Sequence, residues 1–137
     1  MPGSYRIDVP RGLVFSRGWG VLTDEFILAH AAALRADERF DPGFRQLVDL
    51  REVVGLQVAA EVVRDVGRNN PFRSDARRAF VVSSDEVFGM TRMFGHYANA
   101  DTEQFGVFRA LGPAMEWLGE DSDAKWPAEP PDATFGV

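Results

Sequence analysis

The feature that most constrains this chain is a pair of short, largely apolar runs, Gln46-Leu47-Val48-Asp49-Leu50 and Ala79-Phe80-Val81-Val82, each leading into a stretch of helical spacing. Runs this short and this apolar read as interior strands, buried on both faces. After the first, a bend is expected at Gly55. A helix then runs from about Gln57 to Val66, with Val58, Val62, Val63 and Val66 on its apolar side, closed by Gly67 and Asn69-Asn70-Pro71. After the second, Ser83-Ser84-Asp85-Glu86 has the form of a capping box, Ser83 accepting from the Glu86 N–H, and the helix it opens carries an apolar stripe suited to packing on a sheet. Strands alternating with helices demand crossover connections and a largely parallel sheet.

The remaining segments fit that plan. Tyr5–Asp8 and Leu13–Leu22 flank the turn-like Val9-Pro10-Arg11-Gly12 and predict a β-hairpin, with a bulge around Gly18 and Gly20. Thr23 is placed to cap a helix with acidic Asp24 and Glu25 in its first turn and with Phe26, Ile27, His30, Ala33 and Leu34 at helical spacing. A last strand is expected at Phe105–Phe108 and a last helix at Pro113–Leu118. The predicted fold is α/β, a mixed, largely parallel sheet with an N-terminal β-hairpin, in the order ββαβαβαβα. Residues 1–119 are of a size to form one domain, and 120–137 read as an acidic, Pro-containing tail in which Trp126 and Phe135 offer anchors.

Several function classes are disfavoured. The chain has no cysteine, so thiol chemistry, disulfides and thiolate metal sites are out. A net charge of -6, with a single lysine at Lys125, disfavours affinity for nucleic-acid backbones. No apolar run reaches the roughly 18 residues of a membrane span and no signal peptide is visible, so a cytoplasmic protein without stable membrane insertion is expected. His30 and His96 lack carboxylates at helical spacing, so no metal and no cofactor are expected. Ser83 and Ser84 lack the glycine-flanked elbow of a hydrolase, and Gly18-Trp19-Gly20 lies in a strand without the third glycine of a dinucleotide fingerprint. No catalytic residue emerges, and a hydrolase-like activity is the weakest reading.

Two further features have a plain reading and a functional one. Asp49, at the C-terminal end of a central strand, stands where ligands bind open α/β sheets; the plainer account is that it accepts hydrogen bonds from the following loop. Arg64, Arg68, Arg73, Arg77 and Arg78 make one stretch locally basic. They read as solvated loop arginines paired with Asp65 and Asp75, or alternatively as a patch for a phosphate or an acidic partner.

Three stretches, Leu47–Val63, Ala79–Phe94 and Phe105–Leu118, resemble in order and spacing the core of STAS domains, the SpoIIAA-like anti-sigma-factor antagonists. Asp49-Leu50 is similar to the end of the family's strand. Gln57-Val58-Ala59-Ala60 then falls where the family carries an Asp-Ser-Ser-Gly motif, so the phosphorylatable serine is missing. The likeness is greater to the STAS/SEC14-like branch that lacks this switch. It implies a non-catalytic regulatory module that binds an unidentified protein partner through Asp49, Gly55, Leu56, Gln57, Val58, Ala59 and Glu61, and it is compatible with a homodimer. The alternative is a small apolar-ligand or lipid binder whose pocket lies between the third helix and the sheet, lined by Phe88, Met90, Met93, Phe94 and Tyr97.

Overall fold

In the computed structural model, which describes residues 3–121 and the backbone of 133–135, the chain runs β1 (Gly3–Asp8), β2 (Leu13–Thr23), α1 (Asp24–Ala36), β3 (Arg45–Gln57), α2 (Ala60–Arg68), β4 (Arg78–Val82), α3 (Asp85–Tyr97), β5 (Phe105–Phe108), α4 (Leu111–Trp117) and β6 (Ala133–Phe135). The strands form one α/β mixed sheet in the order β5-β4-β3-β2-β1-β6, parallel from β2 through β5 and antiparallel at β1. The hairpin between β1 and β2 closes through Gly12, whose φ of 63° lies in the left-handed region and whose N–H donates to the Val9 carbonyl at 3.0 Å.

Strands β2, β3, β4 and β5 are added in one direction across the sheet. Crossovers of a single hand therefore place α1, α2 and α3 on the same face, and α4 folds back onto the other. The side-chain alternation agrees. Leu47, Ala79 and Val81 pack under α4 against Ala114, Met115 and Leu118, whereas their neighbours Val48, Leu50, Phe80 and Val82 face Phe26 of α1 and Val87 of α3. Full burial of side chains such as Leu13, Leu22 and Leu47 contributes about 2 kcal/mol each and fixes which face each strand presents.

Four local expectations are corrected. Gly55 is not a bend: β3 continues through it to Gln57 because β2 runs alongside as far as Thr23, and register shifts absorb the irregularity. The second helix starts at Ala60, so Gln57 is strand and Val58 lies before the helix. The cap of α3 is Ser84, which accepts from the Val87 N–H at 3.2 Å, while Ser83 donates to the Arg51 carbonyl. The fourth helix begins at Leu111, with Pro113 still in its first turn, where no N–H is needed. Thr23 does cap α1, accepting from Phe26.

The stretch read as a tail is tied to the domain at two points. Glu120 pairs with Arg45 at 2.9 Å, and β6 adds an edge strand to β1 with Tyr5 opposite Ala133. Trp126 lies outside the described residues.

Candidate functional site

Three helices on one sheet face leave a space between them. A cavity of about 110 Å³ lies there, walled by apolar side chains such as Leu22, Leu34, Val48, Leu50, Val63 and Phe80. Met90 and Phe94 of α3, two of the residues expected to line a pocket, are in its wall. The other three are elsewhere. Phe88 sits at the rim of the core under the Arg109 guanidinium, Tyr97 lies under Arg68 beside α2, and Met93 is half-buried off the cavity.

One side of this apolar wall carries a chain of polar groups. Ser16, Gln46 and Arg78 occupy the inward phase of β2, β3 and β4, in line with Val14, Val48 and Phe80, and all three are buried. The Arg78 Nε donates to the Gln46 Oε1 at 2.9 Å, and the Gln46 Nε2 donates to the Ser16 Oγ at 3.0 Å. The Ser16 Oγ lies 2.9 Å from the Nε2 of His30 on α1. Both ends of the Gln46 amide are thus committed, which fixes its orientation and holds Arg78 and Ser16 in place.

Arg78 is the unusual member. It is 5% exposed, yet no carboxylate among the described residues pairs with it. Its remaining contacts are a long one to the Asn70 Oδ1, at 3.4 Å, and four phenylalanine rings: Phe72 at 4.2 Å, Phe94 at 5.1 Å, Phe80 at 5.4 Å and Phe105 at 6.0 Å. Ring faces attract a guanidinium by up to about 2 kcal/mol each when desolvated, against a burial cost of several kcal/mol for an unpaired ion. Burial pushes the Arg78 pKa down to about 9, which still leaves the group charged at neutral pH.

Burial, and then the neighbouring charge of Arg78, lowers the His30 pKa from 6.5 to about 4. His30 is therefore neutral at pH 7 and a weak base. The Ser16–His30 contact, with the Ser16 oxygen also accepting from Gln46, suits orientation of polar groups better than proton abstraction from a nucleophile.

The junction expected to dock a partner is built differently. Asp49 is buried in mid-strand, where Arg51 donates to it through Nε at 2.9 Å, NH2 at 2.8 Å and its backbone N–H at 3.1 Å. Burial alone would raise the Asp49 carboxyl, but the Arg51 hydrogen bonds, with the charges of Arg51 and Arg17, hold it below its ordinary value. Leu56 and Val58 are half-buried against the core, Gly55 is half-buried within β3, and the Ala59 N–H donates to the Asp24 Oδ1 at 2.9 Å. Gln57 and Glu61 are exposed. The seven residues therefore do not form one exposed surface.

The arginine stretch also divides. Arg73 pairs with Asp75 at 2.8 Å and Arg64 reaches Asp65 at 3.7 Å. Arg77 donates to the Trp117 carbonyl at 2.6 Å, and Arg78 points into the core, so the reading of Arg78 as a solvated loop residue is overturned. The signal was present in the sequence: Arg78, Phe80 and Val82 share one phase of a strand, as do Gln46, Val48 and Leu50.

No helix among the described residues is long and apolar enough to cross a membrane, and no three His, Asp or Glu residues among them cluster as metal ligands would. No family model, curated protein or solved structure matches the chain.

Proposed function

We propose that this protein is a non-catalytic binding module for a small apolar ligand, held between α1, α2, α3 and the sheet. The observation that carries this reading is the apolar cavity itself, because a module that only docks a partner on its surface has no use for one. Its size sets the ligand class. A closed cavity of about 150 Å³ takes a benzene molecule; at about 110 Å³ and half open to solvent, this one suits the body of a small ring or short branched chain, with the rest of the ligand at its mouth, and does not enclose a long acyl chain. The reading thus keeps the small apolar ligand and drops the long-chain lipid.

The likeness of Leu47–Val63, Ala79–Phe94 and Phe105–Leu118 to STAS motifs supports grouping the domain with that fold, with ligand binding in place of the missing serine switch. Partner docking through Gly55–Glu61 is less favoured, because Leu56 and Val58 already contribute to the core.

Titration with toluene, followed by methyl NMR, tests the proposal. Saturable shifts confined to Leu22, Leu34, Val63 and Met90 are expected, and an Ala31→Leu variant, which fills the cavity from α1, should lose them while keeping its fold. Absence of saturable shifts in the wild type, or shifts unaffected by Ala31→Leu, would overturn it.

A further inference from the structure

We propose that the cavity selects a small monocarboxylate with an aromatic or branched apolar body, its carboxylate seated on the Arg78 guanidinium. The inference rests on the ligand-binding reading above and names the ligand's charged end.

Several exposed arginines of this chain meet a carboxylate, whereas the part-buried Arg77 donates to the Trp117 carbonyl and the Gln104 Oε1. Arg17, Arg39, Arg51, Arg73 and Arg109 each meet a carboxylate at 2.6–2.8 Å, and each has a side chain at least 35% exposed. The arrangement at Arg78 is inverted: it is the more deeply buried cation, where a counter-ion would help most, and its hydrogen bonds go to neutral amide oxygens. Hydrophobic side chains of similar volume would fill this position at lower cost, so the charge calls for an anion that arrives from outside the chain.

The geometry narrows the anion. Gln46 occupies the Arg78 Nε, leaving the terminal nitrogens. That pair of donors matches the two oxygens of a planar carboxylate in a bidentate fork. NH1 has only the 3.4 Å contact to Asn70, whose Oδ1 already accepts from the Phe72 N–H at 3.0 Å, so a carboxylate displaces little. One cation balances one negative charge. His30 adds no second charge at neutral pH, so a carboxylate fits the site better than a phosphate monoester, which carries nearly two.

The remainder of the ligand meets the apolar wall. Phe80 and Phe94 flank the guanidinium and also line the cavity, and Met90 supplies an adaptable side chain on α3. An anionic head thus lies beside a volume the size of a small ring or a branched chain.

The test compares charged and neutral probes of one shape by calorimetry at pH 7: benzoate with benzamide, isovalerate with isovaleramide, and toluene as an uncharged filler. At least one carboxylate is expected to bind ten-fold or more tightly than its amide. Arg78→Met should abolish that preference while toluene still binds. Should Arg78→Met fail to fold, Gln46→Glu serves instead, because it places a carboxylate beside the guanidinium within the chain and should weaken carboxylate binding ten-fold with toluene unaffected. Toluene binding without any carboxylate preference in the wild type would overturn this inference and leave the ligand-binding reading standing. Binding of none of the probes would overturn both.

Discussion

Arg78 and Gln46 stand opposite each other in register on adjacent parallel strands, and the Arg78 Nε donates to the Gln46 Oε1 at 2.9 Å. They are the first inward-facing residues of β3 and β4, followed on that face by Val48 and Leu50 and by Phe80 and Val82. A polar pair at this position holds a charge in place at the expense of packing.

The first expectation follows from that expense. Replacing both partners together, as Arg78→Met with Gln46→Met, removes a buried ion without stranding its acceptor. The double variant should be as stable as the wild type or more so, by about 1–4 kcal/mol. Urea denaturation measures it, and a loss of stability beyond about 1 kcal/mol would show that the pair contributes to folding.

Stability should respond to pH through His30. Its folded pKa, about 4, lies below its unfolded value of 6.5, so between those values the unfolded chain binds more protons. The stability it contributes is complete above about pH 6.5 and is lost progressively as pH falls toward 4. Asp37, held at about 2 by Arg39, and Asp49, held low against its burial by Arg51, act only below the ordinary carboxylate value of 3.8. Thermal melting from pH 7 to 4.5 should therefore slope downward in the wild type and flatten in His30→Gln.

Helices α2 and α3 approach closely at Gly67. A Cβ there would come within 2.8 Å of the Tyr97 Cβ and 3.2 Å of the Phe94 carbonyl oxygen, neither of which is the end of a flexible side chain. Gly67→Ala should cost about 1–3 kcal/mol despite the better helix propensity of alanine. Equilibrium denaturation checks this, and because Phe94 is displaced with α3, toluene affinity should fall as well.

Ending the chain at Gly119 should lower the melting temperature by roughly 5 °C, because it removes the Glu120 carboxylate from Arg45 and the β6 strand from β1. The bare β1 edge should also promote association, visible as concentration-dependent light scattering. An unchanged melting temperature would show that neither attachment matters.

The composition and periodicity of the sequence determined the α/β class, the hairpin at the N-terminus, the interior strands at Gln46–Leu50 and Ala79–Val82, and the Thr23 cap, since each depends on residues near one another in the chain. Met90 and Phe94 were legible as an apolar stripe. Which members of that stripe face a cavity was not, because this depends on how α1 and α2 sit beside α3. The end of β3 was misread at Gly55 for a similar reason: its partner there is Val21, thirty-four residues away, and pairing with β2 overrides the local preference for a bend. Ser16, His30, Gln46 and Arg78 come from four separate elements, and nothing in their spacing announces a group. Only the tertiary structure decided that they meet, and that the Arg78 guanidinium faces rings and amides instead of a carboxylate, because strand order and the common side of the three crossovers bring these positions together.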